Sequence, residues 1–583
     1  MMTSLVNSDT LLVVDIGTIK TRALLFDVID GRYRFITAGS ATTTLGLPYF
    51  DAGEGVRRAL NHLAEVTGRI FLGEDGNLIT PSRPDSSGVD AFALTMSAGP
   101  PLKVVAVGLV QEVSIESACH LAETTYANVV STLSLNDRRT QEARIDTILQ
   151  ARPDLIIMAG GMEGGASLSV RKLLEAAGLA SYLMPKGQRP HILFAGNQQM
   201  QSEVEESLAG VGDIYLAPNI RPTWEMEQLA PAQKQITNIF RKIRSKQVLG
   251  IRELDSWSNG KMIPTSLAFE RVIRFLSQIY DPSKGVLGID IGASSTTITT
   301  AFTGKSSLGV YPQFGLGTNL PMLLRLSKIE DITRWLSEDI PTDSLLDYIY
   351  NKAAFPASLP VTVEDLSIEQ ALARQVMQLS IKKISRTFPR KITPYGTEVL
   401  PWFEPIMVTG SVLTQASTPG QTLLMVLDGI QPCGVTTILL DQNNLVSALG
   451  AAADSNPVLA VQVLGSNTIL NLGAVIAPIG NAKVGTSILR IRITYSDGRE
   501  ANKEIKYGSL EIIPLPLREA ATLRLQPLHR FDVGMGPGRG GRLQVVGGSL
   551  GIVIDARGRP LPLYTDPVRR REKMKKWLGS LSS

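Results

Sequence analysis

Two short stretches carry residue types suited to gripping a polyphosphate: Asp15-Ile16-Gly17-Thr18 and Asp290-Ile291-Gly292-Ala293-Ser294-Ser295. In each, an acid closes an apolar run, a glycine follows, and hydroxyl residues lead toward a second strand-like segment. Glycine lets the backbone approach an oxyanion, Ser and Thr hydroxyls donate to it, and a carboxylate can orient a hydrated magnesium ion. The chemistry such groups support is phosphoryl transfer to water, which is mainly positioning and charge stabilisation. A single Asp-x-Gly after a strand is most often a plain turn. Two copies facing each other would clamp a nucleotide between two lobes.

The elements that must position these turns show as changes of apolar rhythm. Residues 11–14 and 286–289 read as buried strands, with 22–27 and 296–300 as their hairpin partners. A helix is predicted over 52–66 from Val56, Leu60, Leu63 and Ala64 at helical spacing. Residues 73–88, rich in Gly, Pro, Ser and Asp, read as an exposed loop. From Lys103 the pattern changes: short unbroken apolar strands at 104–107, 155–159 and 192–195 alternate with helices predicted over 114–128, 137–150 and 167–177. That alternation implies a parallel sheet covered on both faces, a small doubly wound domain inserted between the hairpins. Beyond residue 456, the alternating run 488–495 and the turn Ser496-Asp497-Gly498-Arg499 predict short antiparallel strands. The expected divisions are 1–90 and 226–455 for the lobes, 91–225 for the insert, and 456–583 for a mostly β region ending in a basic helix.

Composition bounds the function classes. The chain has 583 residues, 44% hydrophobic and 19% charged, as a globular protein of several domains would. A net charge of +4 gives no warrant for nucleic-acid binding, which needs a concentrated basic face. Cys119 and Cys433 lack metal-ligand spacing and read as buried thiols in a reducing compartment. His62, His120, His191 and His529 form no ligand spacing either. No apolar run reaches the roughly 18 to 20 residues that cross a bilayer, and the N-terminus lacks a basic start before an apolar core, so a cytoplasmic protein is expected.

The hairpin pair, the loop Ala159-Gly160-Gly161-Met162-Glu163-Gly164-Gly165, Ala195-Gly196-Asn197 and Thr409-Gly410-Ser411 together resemble the glutamate mutase accessory family, called MutL or GlmL. That family belongs to the actin, sugar-kinase and heat-shock chaperone ATPase superfamily. The resemblance implies an α/β fold: a two-lobed actin-like ATPase with ribonuclease H-like lobes, the inserted doubly wound domain and the C-terminal mostly β domain. It implies weak ATP hydrolysis, and a partner in an adenosylcobalamin-dependent carbon-skeleton mutase whose damaged cobalamin is exchanged. Self-association as a homodimer stays open. Two departures stand out: the first hairpin carries its lysine at Lys20 with Arg22 in the family's Lys position, and Ala293-Ser294-Ser295 stands where a second glycine and an Ala-Thr pair are common.

Within that resemblance, ATP and magnesium are the expected cofactors. Asp15 and Asp290 face one another, holding magnesium through water or orienting the attacking water as a weak base. Thr18, Thr21, Ser294, Ser295 and Thr296, with the Gly17 and Gly292 amides, bind the β and γ phosphates, and Lys20 offsets their charge. Gly410 and Ser411 lie against the adenosine. Two other uses of such a cleft remain: an assembly scaffold of the cell-division or pilus type, and a small-molecule kinase, for which no base above a substrate pocket stands out.

Three further stretches carry two readings each. The 159–165 loop, with Glu163 and Asn197 nearby, is either a second anion site or a set of tight turns. The run from Gly534 to Arg542 has the composition of a phosphate loop without its Gly-Lys-Ser/Thr ending, and reads as a β loop. The run from Arg569 to Lys576 reads as a charged surface helix ending the chain, or as a contact for an anionic partner.

Overall fold

The computed structural model describes residues 10–165, 167–389, 399–466 and 468–581. The first nine residues, read above for a leader pattern, lie outside the described residues.

Two sheets share one strand plan. In the first lobe, Thr10–Ile16, Lys20–Ile29 and Arg32–Thr42 form an antiparallel meander, while Ala91–Met96 and then Ile263–Pro264 add in parallel on the other side of Thr10–Ile16. In the second lobe, Gly285–Ile291, Thr296–Phe302 and Lys305–Tyr311 repeat the meander, and Phe403–Thr409 and Gly434–Leu440 add in parallel beyond Gly285–Ile291. A meander with two parallel strands beyond its first member is the ribonuclease H-like plan. Its duplication makes the molecule a two-lobed, actin-like α/β protein.

Burial explains why the hairpin strands are apolar throughout. Leu12 and Val14 face a core shared with the helix Ala52–Thr67 and the insert, whereas Leu11 and Val13 face a core shared between the lobes. A strand covered on both faces has no position for a polar residue until its end. The inter-lobe core is organised by the helices Thr265–Ile279 and Leu445–Ala452. These approach closely: a Cβ on Gly450 would stand 1.8 Å from the Ala268 carbonyl oxygen.

The insert is a five-stranded parallel sheet in the order Ala127–Ser134, Leu102–Gly108, Leu155–Met158, His191–Phe194, Ile214–Leu216. Its first helix ends at Ala122, short of the predicted 128, because Ala127–Ser134 is a strand paired along Leu102–Gly108. The β-branched Val129 and Val130 fit that pleat better than a helix. The helix from Ser167 runs to Leu183, past the predicted stop near 177. Gly178 there serves packing, since a Cβ would meet Leu208 at 2.8 Å.

Residues beyond 456 contribute in two ways. Leu470–Ala477, Ile552–Asp555 and Leu510–Ile513 extend the second lobe's sheet to eight strands. Glu500–Lys506, Ser487–Tyr495, Ala520–Pro527 and Gly541–Val546 form a separate four-stranded antiparallel sheet in that order. The final helix, Pro567–Ser580, buries Met574 and Trp577 in the second lobe's core. Among the described residues, no helix is long and apolar enough to cross a membrane.

Candidate functional site

The two hairpin turns are built alike to the residue. Asp15 lies opposite Thr95 on the parallel neighbour, and Asp290 lies opposite Thr409. The Gly17 N–H donates to the Lys20 carbonyl at 3.0 Å, and the Gly292 N–H donates to the Ser295 carbonyl at 3.0 Å. Glycine is needed for this closure, since a Cβ would stand 2.8 Å from the Lys20 oxygen in one turn and 3.0 Å from the Ser295 oxygen in the other. Both turns border one cavity of about 560 Å³ between the lobes, lined by Asp15, Gly17, Thr18, Lys20, Asp290, Gly292, Ser294, Ser295, Gly410 and Ser411. That size suits a nucleotide or similar ligand.

Several nominated donors face elsewhere. Thr21 is fully buried with its hydroxyl against that of Thr43 at 3.0 Å, and Thr296 donates to the Phe314 carbonyl at 2.8 Å. Strand alternation is the reason: Lys20 and Arg22 line the cavity, so Thr21 between them points away. The Gly17 and Gly292 amides are occupied within their own turns. Gly410 has φ +108°, and a Cβ there would come within 2.3 Å of the Ile291 carbonyl oxygen, so its first constraint is the second hairpin rather than a base.

The two aspartates differ in their surroundings. Asp15 accepts from Thr95 Oγ1 at 2.7 Å, Thr265 Oγ1 at 2.8 Å and Asn444 Nδ2 at 2.9 Å. Asn444 belongs to the second lobe, so this carboxylate ties the lobes together. Asp290 has no hydrogen-bond donor among the described residues, because Thr409 donates instead to the Asp441 carbonyl at 2.8 Å. Burial first, then the nearby Asp15, pushes the Asp290 carboxyl up to about 7, with Arg22 opposing. A carboxylate without donors in such a place is the one open to a hydrated cation.

Sequence reasoning missed the second rank of the site. Asp441 is fully buried and accepts from the Leu445 and Val446 amides at 2.9 and 2.8 Å, fixing the start of the inter-lobe helix. Its carboxyl is raised by burial, with those amides and Arg22 pulling the other way. Tyr126 reaches the cavity from the insert, its hydroxyl accepting from the Ser266 amide at 3.1 Å, and burial lifts its phenol well above the usual range. Gly315 and Gly317 back the second turn, where a Cβ would meet Ser294 at 2.5 Å and the Ala293 oxygen at 2.8 Å. The Gly-x-Gly spacing of that pair was the available signal. Lys352 pairs with Glu369 at 3.0 Å on the cavity wall.

The other singled-out stretches satisfy themselves. Asn219 Nδ2 donates to the Gly161 carbonyl and to Glu163, both at 2.9 Å, and Glu163 also accepts from the Gln198 amide, so these polar groups of the 159–165 loop are paired with neighbouring segments. The Gly534, Met535 and Gly536 amides converge on Asp532 Oδ1 at 2.7, 3.1 and 3.0 Å. That carboxylate sits where a phosphate loop would hold phosphate. Cys119 is only half-buried, unlike the expectation, while Cys433 is buried; burial pushes both thiols up to about 11.

A family model described as "MutL protein" matches residues 11–468. The chain belongs to the MutL family. One curated relative, "Protein MutL" of Clostridium tetanomorphum, is 24% identical over 490 residues, covering 78% of this chain and 98% of the relative. Among solved structures, a diol dehydratase-reactivating factor in nucleotide-free form is 9% identical with a TM-score of 0.31, covering 77% of this chain and 100% of its own. The xylulose kinase of Bifidobacterium adolescentis is 11% identical with a TM-score of 0.28, covering 80% and 96%. The MutL match spans both hairpins and the insert but stops before the four-stranded sheet at 487–546.

Proposed function

We propose that this MutL-family chain binds ATP with magnesium between its lobes, hydrolyses it weakly, and serves as an accessory that reactivates an adenosylcobalamin-dependent carbon-skeleton mutase, with glutamate mutase the first partner to try. One observation carries the nucleotide reading: matched aspartates at corresponding ends of a duplicated strand pair border a single cavity. The partner reading is supported by membership of the family alone.

The donor set fits a hydrated ion better than a caged one. Among the described residues no three His, Cys, Asp or Glu side chains cluster as metal ligands, and magnesium commonly keeps several waters and uses one or two carboxylates. Asp290 is the residue to hold it through water, and the ion would supply charge stabilisation to the phosphates. Thr18, Ser294 and Ser295 offer hydroxyls, while Lys20 and Arg22 offer positive charge on the same cavity. Asp15 keeps the lobes in register, and Asp290, raised toward neutrality, is placed to accept a proton from an attacking water.

Calorimetry with magnesium ATP tests the cleft. Wild type is expected to bind and Asp290→Ala to lose at least tenfold in affinity; equal binding by both removes the cleft assignment. Glutamate mutase inactivated by turnover tests the partner. Recovery with this chain and ATP, absent with Asp290→Ala, is the expected result, while a mutase that stays inactive with wild type defeats the partner reading and leaves the cleft standing.

A further inference from the structure

The C-terminal four-stranded sheet lies outside the matched family range, and its outer face holds an unusual row. Arg492 pairs directly opposite Arg524, and Arg524 directly opposite Arg542. Three guanidinium groups therefore stand side by side across three adjacent strands, all exposed. The other face of the same strands is apolar and buried, with Ile491, Leu523 and Val545 in one core, so register leaves the arginines no route inward.

Like charges directly opposite one another destabilise a sheet. Arg492 is partly relieved by Glu500 at 2.5 Å, and Arg490 beside it by Glu504 at 3.4 Å. Arg524 and Arg542 have no salt bridge among the described residues. The basic terminal helix differs in this respect, because Arg569, Arg571 and Lys575 pair with Asp566, Asp339 and Glu338. Two depressions of about 500 and 190 Å³ lie along the row.

We propose that this arginine row is a docking surface for a partner protein that presents a line of carboxylates. Four features select that occupant. Every cation in the row is Arg, whose planar fork takes a carboxylate through two hydrogen bonds. Neighbouring strands are about 4.8 Å apart, close to the roughly 5 to 6 Å between side chains four apart on a helix, so an acidic helix laid across the strands meets one arginine per turn. Among the described residues no aromatic side chain lines either depression, which removes the stacking platform that single-stranded nucleic acid uses. Glu500 and Glu504 along one margin would repel a continuous phosphate chain but can meet cations on a protein.

Fluorescence anisotropy on the full chain tests this with two labelled probes: an alanine-based helical peptide with Glu at every fourth position, and a single-stranded oligonucleotide of equal charge. The peptide is expected to bind more tightly than the oligonucleotide, with affinity falling as salt rises. Arg524→Glu with Arg542→Glu should weaken the peptide at least tenfold, and Lys573→Glu with Lys576→Glu on the terminal helix should leave it unchanged. Tighter binding of the oligonucleotide, or equal loss from both double variants, overturns the proposal. A thermal melt separates misfolding from lost contact: Arg524→Glu alone, placed between two arginines, is expected to hold or raise the Tm. A lowered Tm means the row is not an unrelieved cluster and also overturns it.

Discussion

Asp290 ties the chemistry of the cleft to its stability. In the folded chain its carboxyl sits at about 7, above the ordinary 3.8 to which unfolding returns it. Between those values the folded state holds the extra proton, so stability falls as pH rises from about 4 through about 7, and the loss is complete above that. At about 1.4 kcal/mol per pKa unit the penalty is capped near 4 kcal/mol, less whatever the cavity water offsets. Asp290→Asn should therefore melt above wild type at pH 8, match it near pH 4, and bind magnesium ATP poorly. A variant that melts below wild type at pH 8 would show that the carboxylate is not strained by burial. Asn444→Ala makes a contrasting case, because it removes the donor that joins Asp15 to the second lobe. Its cost should be on the order of 1 kcal/mol, read as a lower denaturation midpoint at every pH.

The two inter-lobe helices are the element on which cleft geometry depends. Gly450 allows Leu445–Ala452 to rest on the Ala268 carbonyl of Thr265–Ile279, and the same pair carries Thr265 and Asn444 to Asp15. Gly450→Ala would force the helices apart, with an overpacking cost of about 1 to 3 kcal/mol. The expected outcome is a lower Tm together with weaker nucleotide binding, though residue 450 does not line the cavity. Unchanged nucleotide affinity in a folded variant would detach helix spacing from the cleft. The sequence showed a small-residue run here, Ala448-Leu449-Gly450-Ala451-Ala452, but not its partner, because nothing local to either helix encodes a contact with a segment far away in the chain.

At the scale of the molecule, the chain's end is fastened to the second lobe by a buried ionic network. Arg557 donates to Asp428 at 2.7 Å and to Asp555 at 2.8 Å; Arg559 also reaches Asp555 at 2.7 Å, and Arg374 reaches Asp428 at 2.8 Å. Arg557 also lies over the Trp577 ring at 4.7 Å, so the final helix caps the network. Breaking one partner of a buried pair costs about 3 to 5 kcal/mol, because a charge is left without its counter-charge. Arg557→Ala should lower the Tm sharply, and Trp577→Ala should make residues 567–581 a site of early proteolytic cleavage. Resistance to protease equal to wild type in Trp577→Ala would mean the helix is held by other contacts.

Local pattern alone determined the two Asp-Gly turns, the buried strands before them, the parallel rhythm of the insert and the alternating strands past residue 488, since periodicity and turn chemistry act within a few residues. Which hydroxyls face the cleft was only partly legible: Thr18 and Thr21 look equivalent in sequence, and the pleat separates them. Tertiary structure alone decided that Asp15 is saturated by three donors while Asp290 has none among the described residues, that Asp441 and Tyr126 stand behind them, and that three arginines on adjacent strands share one row. Those facts depend on which far-apart segments pack together. Pairing of that kind is fixed by the folded cores and leaves no periodic mark on the chain.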